Sequence, residues 1–375
     1  MRKNILVTGG AGFVGSHTVD ALVKRGHHVR IYDNLNPQVH GNRMPEYLNR
    51  DAEFIRGDVR DLAKLTQAVH GMDVIYHFAA AVGVGQSMYE IAHYVSVNNQ
   101  GTANLLQAIL DSRSHPEKII VASSMSIYGE GRYACIECGN DVEPAPRPLE
   151  QLKARQWEAL CPVCGEPLVP VATNEFKHLQ STSVYALSKK YQEEMVLLFG
   201  RTYGIPAVAL RYFNIYGTRQ SLSNPYTGVV AIFASRLMNG HAPLIFEDGM
   251  QMRDFVSVHD IVTANLLAME NPGADGKALN VGSGEAVTIR KVASEIGRAV
   301  NVSTPFELSG RYRAGDIRHC FADVSAIGAL LGFRPQVHFD QGMQELSEWL
   351  RSQESVVSDH VQEAVETLNV HGLVA

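Results

Sequence analysis

The chain has 375 residues, of which 45% are apolar and 19% charged, and a formal net charge of −6. This is ordinary globular composition, long enough for one large core or two fused lobes. The acidic balance and the lack of a basic patch exclude nucleic acid and anionic membrane as expected partners, no stretch is long and apolar enough to span a bilayer, and residues 1–4 run into a strand-like segment without a leader pattern, so a cytoplasmic location is the expectation.

Ile5-Leu6-Val7 reads as a short, fully buried strand. A Gly-rich turn follows, then a helix over 16–26. Apolar runs at 28–32 (closed by Asp33), 53–55, 73–76 and 118–122 predict four more strands, with a long helix over 94–110 before the last. Continuous apolar strands separated by amphipathic helices predict a parallel sheet covered on both faces. The alternation breaks at 131–172, where six prolines accompany two Cys-x-x-Cys pairs, and this stretch reads as an insertion. It resumes with a helix over 184–203 and a strand over 207–212. Later segments are mixed, with helices over 229–238, 260–269 and 289–300. The polar tail reads as a loosely attached helix. The fold class is therefore α/β, a doubly wound parallel sheet over 1–130 and 173–217 with part of 240–265. A smaller C-terminal α/β lobe over 218–350, expected to bind substrate, and a tail over 351–375 complete it.

Thr8-Gly9-Gly10-Ala11-Gly12-Phe13-Val14-Gly15 joins the first strand to the first helix. Gly9, Gly12 and Gly15 form G-x-x-G-x-x-G, which lets the backbone turn tightly and approach a pyrophosphate. The helix N-terminus offers unpaired N–H groups and a positive dipole end to the phosphates, and Phe13 and Val14, within the turn, are expected at the cofactor as well. Gly-rich turns alone are common. This one lies between strand and helix and is followed by Asp33 at the end of the second strand, which makes it a Rossmann-type dinucleotide site. A carboxylate there accepts from the adenosine ribose and repels a 2′-phosphate, so NAD is expected rather than NADP. Asn34 follows it. Asp58-Val59 and Phe78-Ala79-Ala80 lie just past the third and fourth strands, at the edge where ligands bind. His77 reads as a structural hydrogen-bonder rather than a catalyst.

Tyr185 and Lys189 stand four apart on one helical face. A free phenol ionises near ~10. A fixed ammonium one turn away, with the positive nicotinamide nearby, favours the phenolate. With the Gly-rich loop, Asp33 and Ser124, this set resembles the extended short-chain dehydrogenase/reductase family, which includes the sugar-nucleotide epimerases and dehydratases. The likeness covers nearly the whole chain apart from the insertion. It implies that Tyr185 takes the proton of a sugar hydroxyl, that Ser124 hydrogen-bonds the same oxygen, and that Lys189 lowers the Tyr185 pKa and holds the nicotinamide ribose. Asn98 stands where the family has a cofactor-contacting Asn. The segment from Arg211 to Gly217 matches the family's RYFN-x-YG, which implies Phe213 near the nicotinamide and Asn214 on the substrate diphosphate. Arg253-Asp254-Phe255-Val256 and Arg313-x-x-Asp316 match two further family segments, implying pyrophosphate and nucleotide-ribose contacts. The family also implies a homodimer through the helix after Gly101 and the Tyr185 helix.

Met125 and Ser126 follow Ser124. The family's 4,6-dehydratases have an acidic pair there, and its uronate decarboxylases usually have Glu at the position of Ser126. Neither Met125 nor Ser126 is a general acid near neutral pH. What remains is oxidation and return of the hydride to the opposite face, an epimerisation; the family's 4-epimerases carry small residues at this segment, so the resemblance implies inversion at C4 of a nucleotide sugar. Segments 34–41, 81–89, 224–228 and 311–319 look like those of the branch acting on dTDP-L-rhamnose, with Gln86, Ser87, Ser124, Ser126 and 224–228 implied at the sugar or base. UDP-glucose and UDP-glucuronate 4-epimerases, a 4-keto-sugar reductase and a non-catalytic NAD binder stay open, because these residues specify neither the base nor the C6 substituent.

Cys135-x-x-Cys138 and Cys161-x-x-Cys164 are two knuckles. Together they offer four thiolates to one tetrahedral Zn²⁺, a closed and therefore structural zinc-ribbon site. Cys320 is expected as a buried, unpaired thiol.

Overall fold

A computed structural model describes residues 2–41, 43–302, 306–313, 315–353 and 357–374; Ala314, within one of the segments above, lies outside the described residues. Seven parallel strands form one sheet. Their spatial order is Glu53–Arg56, His28–Asp33, Asn4–Thr8, Val74–His77, Lys118–Ser124, Ala207–Tyr212 and Ala278–Val281. Side chains alternate between two apolar cores: Ile5 and Val7 enter one, Leu6 the other. The helices Phe13–Lys24 and Val258–Glu270 cover the first face. Leu62–Val69, Gly101–Asp111 and Val184–Tyr203 cover the second.

The strand sequence reverses at Asn4–Thr8, whose neighbours are the second and the fourth strands. Crossovers leave in opposite directions there and open a crevice at the strands' carboxyl ends. Thr8 pairs in register with Tyr32 and His77, and Ser124 with Tyr212. The Gly-rich turn, Asp33, Phe78 and Ser124 therefore emerge on one edge.

Three expectations need correction. The predicted helix 94–110 is a short helix Ile91–Tyr94, a π-helical stretch Val95–Gln100 and the helix Gly101–Asp111. The widened turn holds Asn98 fully buried, a usual reason for a π-segment beside a site. The sheet does not end at 217 with its last strand: Ala278–Val281 completes it and Val258–Glu270 packs on it, because their apolar faces match that core. The tail is not loosely attached. Its helix Val361–Val370 buries Val361, Ala364, Val365 and Leu368, the i, i+3, i+4, i+7 stripe of an amphipathic helix. His371 stacks on Tyr89 with ring centroids 4.9 Å apart.

The C-terminal lobe packs helices Val229–Met238, Ile289–Ala299 and Phe339–Arg351 around Phe233, Val292, Ile296 and Leu346. The insertion forms a three-stranded antiparallel sheet with Arg132–Cys135 between Asn140–Val142 and Val169–Val171. Its small core is Tyr133, Cys135, Ala159, Cys161 and Leu168. Among the described residues no helix is long and apolar enough to cross a membrane.

Candidate active site

A cavity of about 890 Å³ runs along the carboxyl edge of the sheet and under the C-terminal lobe. At one end lie Gly9, Gly12, Phe13, Val14 and Gly15. Gly9 has φ +72°, and a Cβ on it would meet the Ala79 nitrogen at 2.7 Å; a Cβ on Gly15 would sit 2.1 Å from the Gly9 carbonyl oxygen. No side chain caps the helix that starts at Phe13, so its first N–H groups face the cavity. Asp33 accepts from the backbone N–H of Ala11 at 3.0 Å and of Leu35 at 2.8 Å. Asn34, Val59, Phe78, Ala79 and Ala80 complete this end. A glycine cradle, an open helix start and one carboxylate fit a dinucleotide with a free ribose diol.

Ser124, Ser126, Tyr185, Lys189 and Phe213 line the middle. Ser183 caps the Tyr185 helix by accepting from the Ala186 N–H at 3.1 Å. Ser124 accepts from the Ser126 hydroxyl at 2.9 Å and from the Ser126 N–H at 3.2 Å. Lys189 donates to Gln192 at 2.8 Å, and Gln192 donates to Thr102 at 2.8 Å. Thr102 is bonded to His77, which is bonded in turn to Thr8. His77 is thus a buried structural link, held neutral by burial, which lowers its pKa to about 3.

Burial pushes the Tyr185 phenol up, with Ser124 acting the other way. It lowers Lys189 to about 7, opposed by Glu193. The expectation pairs Lys189 with the positive nicotinamide, and these side chains are only the protein's half of that pair. Desolvation outweighs their attraction, and the phenolate needs a further positive charge in the cavity.

Gln86 lines the cavity beside Gln38 and Tyr94, and Asn214, Arg253, Arg313 and Asp316 line it as well. Arg313 pairs with Asp316 at 3.1 Å and lies over the Phe246 ring at 4.6 Å. Burial raises the Asp316 carboxyl, but Arg313, Arg253 and Arg147 outweigh it and hold it below the usual range. Asn214 Oδ1, Gln220 Oε1, Gln251 Oε1 and Arg313 Nε are buried without a partner among the described residues, and all four residues line the cavity. Unpaired buried polar atoms are costly unless a ligand answers them.

Three expected contacts do not line the cavity. Asp58 is tied to Arg60 at 2.7 Å and to Asn34 at 3.0 Å, which holds its carboxyl below the usual range. Ser87 accepts from the Tyr185 N–H at 2.9 Å and donates to the Val84 carbonyl. Asn98 clamps the Ala81 backbone, accepting at 2.7 Å and donating at 3.0 Å, and also donates to Ser188. All three hold the loops that do face the cavity.

Sequence reasoning missed Gln220, Phe246 and Gln251, whose spacing carries no motif. It also missed the wall built by the tail helix: Val361, Ala364, Val365 and Leu368 face the cavity, and Leu368 lies against Gly85. The heptad-like apolar spacing at 361, 364, 365 and 368 was the available signal.

The four knuckle sulfurs lie within 4.8 Å of one another, with Cys135–Cys164 at 3.5 Å and Cys138–Cys161 at 3.9 Å. Zn–S bonds of about 2.3 Å in a tetrahedron put sulfurs about 3.8 Å apart. The N–H groups of Cys164 and Val163 lower the Cys161 thiol to about 6. Cys320 is a buried free thiol, which burial raises to about 12.

A family model described as the NAD dependent epimerase/dehydratase family matches residues 5–150 and 162–282. The chain belongs to this family. Among members of the family, a dTDP-L-rhamnose 4-epimerase of Burkholderia thailandensis is 34% identical over 93% of this chain and 95% of its own. A UDP-N-acetyl-alpha-D-glucosaminuronate decarboxylase of Bacillus cytotoxicus is 31% identical over 95% of this chain and 100% of its own. Among solved structures, a Thermotoga maritima UDP-glucose 4-epimerase with UDP-glucose has a TM-score of 0.73 at 31% identity, over 93% of this chain and 99% of that one. The Thermus thermophilus enzyme in complex with NAD gives 0.73 at 29%, over the same shares. The family's NAD-binding α/β sheet is thus the sheet described here.

Proposed function

We propose that the chain is an NAD-dependent nucleotide-sugar 4-epimerase, and that its substrate pair is dTDP-L-rhamnose and dTDP-6-deoxy-L-talose. The observation that carries the reaction type is the absence of an acid beside Ser124. Among the described residues, the only carboxylates lining the cavity are Asp33 and Asp316. The first is held by backbone N–H groups and the second by Arg313. Elimination of a hydroxyl needs a general acid at the leaving oxygen, and neither is free to serve.

Gly9, Gly12, Gly15 and Asp33 would hold NAD, which supplies the hydride acceptor and donor when bound. Ser124 orients the sugar 4-hydroxyl, and Tyr185 takes its proton as the C4 hydrogen leaves with its electron pair. The ketone then turns in the cavity. With the cofactor bound, hydride would be supplied to the opposite face of C4 while Tyr185 returns the proton to the oxygen, so that no net oxidation remains. Lys189, held by Gln192, supplies positive charge one turn from the phenol when protonated. Phe213 flanks the reacting end. Arg253, Arg313 and Asn214 suit a diphosphate, and Asp316 a ribose hydroxyl. The apolar wall of Val361, Val365 and Leu368 suits a sugar carrying a methyl group at C6 better than a hydroxymethyl or carboxylate. This, with the Burkholderia relative, favours the 6-deoxy sugar.

Incubating the protein with dTDP-L-rhamnose and no reductant, followed by NMR of the sugar, tests this. The expected result is a mixture with the C4-inverted sugar, reached from either side without net NADH. Turnover of UDP-glucose or UDP-glucuronate instead would retain the mechanism and discard the sugar. A requirement for stoichiometric NADH would replace the epimerase with a reductase.

The four cysteines hold a structural zinc in this reading, and metal analysis of protein purified without chelator should find about one zinc per chain. The chain also forms a homodimer. Leu187, Tyr191 and Leu198 are exposed on the Tyr185 helix, as is Leu110 on Gly101–Asp111. Light scattering at the monomer mass would refute that assembly.

A further inference from the structure

Two side chains of the insertion, buried Arg147 and partly buried Glu158, reach the cavity lobe without touching the cavity's reacting middle. Glu158, three residues before Cys161, accepts from Arg318 Nε at 3.0 Å and Nη2 at 2.5 Å, and its second oxygen is bonded to His319 at 2.8 Å. Arg318 is fully buried and also donates to Glu247 at 2.9 Å and Asp248 at 2.7 Å. Arg147 donates to Glu247 at 2.8 Å, to the Asp316 carbonyl at 3.1 Å and to the Trp157 carbonyl at 2.9 Å.

The backbone held in this way, 316–318, is the bed on which Arg253 lies. Arg253 donates to the Arg318 carbonyl at 3.0 Å and the Ile317 carbonyl at 2.5 Å. Arg253, Arg313 and Asp316 then face the cavity. Next to Glu158, Ala159 and Cys161 sit in the small core around the knuckles, and the Ala159 carbonyl accepts from the Leu168 N–H at 2.8 Å. A continuous chain of contacts joins the four sulfurs to the two arginines. Buried ion pairs of this kind hold their geometry only while every member is in place.

We propose that Arg147 and Glu158 are positioning residues for the Arg253–Arg313–Asp316 end of the site, and that the four-cysteine cluster, by fixing the segment that carries Glu158, sets the affinity for the nucleoside diphosphate. This rests on the reading of that end as the diphosphate site.

Glu158→Gln removes the charge and keeps the shape. The measurements are the Kd of dTDP and of UDP by calorimetry on NAD-loaded protein, KM and kcat for the sugar nucleotide that turns over, and bound NAD. Both Kd and KM should rise about tenfold to a hundredfold, with kcat at saturation and NAD content nearly unchanged. Arg147→Met and Cys164→Ser, which opens the cluster at its exposed corner, should give the same signature. Glu150→Gln, an exposed acid on the same insertion, should change nothing. Unaltered Kd in Glu158→Gln, or a fall in kcat without a rise in KM, overturns the positioning role. Unaltered Kd in Cys164→Ser overturns the cluster's part. If the unsubstituted protein holds NAD yet binds neither dTDP nor UDP, the diphosphate reading itself fails.

Discussion

The two halves of the molecule bury charge in different ways. Under the sheet, Arg211 faces a single acid, Glu193, at 2.5 Å, and Glu193 has a second donor in Ser123 at 2.6 Å. Where the insertion meets the C-terminal lobe, Arg318 faces Glu158, Glu247 and Asp248 together. The first arrangement braces one strand against the helix that carries Tyr185 and Lys189. The second joins three chain segments that have no common sheet. A hydrogen-bonded sheet already sets where its strands lie, so one ion pair suffices there. Loops that lack such a ladder must be held by side chains, and each added charge must be matched.

The largest effect expected is in the sheet half. Tyr185→Phe should lower kcat by on the order of 10²–10⁴ while bound NAD stays unchanged. Retained turnover would move the base elsewhere. Next, Arg318→Met takes the guanidinium from three acids at once, leaving buried Glu247 with Arg147, partly buried Glu158 with His319 and Asp248 without a cation, and should cost about 3 kcal/mol in urea unfolding. Arg211→Met should cost less, since Ser123 still answers Glu193. Equal losses would break the contrast between the halves.

A smaller effect depends on pH. The folded pKa of His77 is depressed to about 3 from 6.5, so the unfolded chain takes up the proton first. Stability is then lost as pH falls from about 6.5 toward 3, and His17, lowered by burial to about 4, adds to the same window. His77→Asn should reduce the slope there by about 1.4 kcal/mol per pH unit, read from unfolding midpoints. The smallest is Ser183→Ala, which removes the cap of the Tyr185 helix and should cost about 1 kcal/mol.

The sheet half was largely legible because its signals are local. Gly9, Gly12 and Gly15 are spaced by the turn itself, Asp33 ends a strand, and Tyr185 and Lys189 are one helical turn apart. The knuckle cysteines are equally local, and the fold completes their cluster. Ser87 and Asn98 stand at the expected positions yet face inward, and partly exposed Asp58 turns to Arg60 and Asn34. Motif spacing locates a residue along the chain but leaves its side-chain direction to packing. Asn98 turns inward because the helix widens into a π-segment there, which no propensity marks.

The amino-acid sequence by itself determined the parallel sheet, the dinucleotide turn, the Ser124–Tyr185–Lys189 set and the two knuckles, since each is a short-range pattern with one geometry. Only the tertiary structure decided the rest. It buried Lys189 until its pKa fell to about 7. It laid the tail helix along the cavity as an apolar wall and gathered Glu158, Glu247 and Asp248 around Arg318. Burial and charge pairing between distant segments arise from three-dimensional proximity, and no local spacing encodes them.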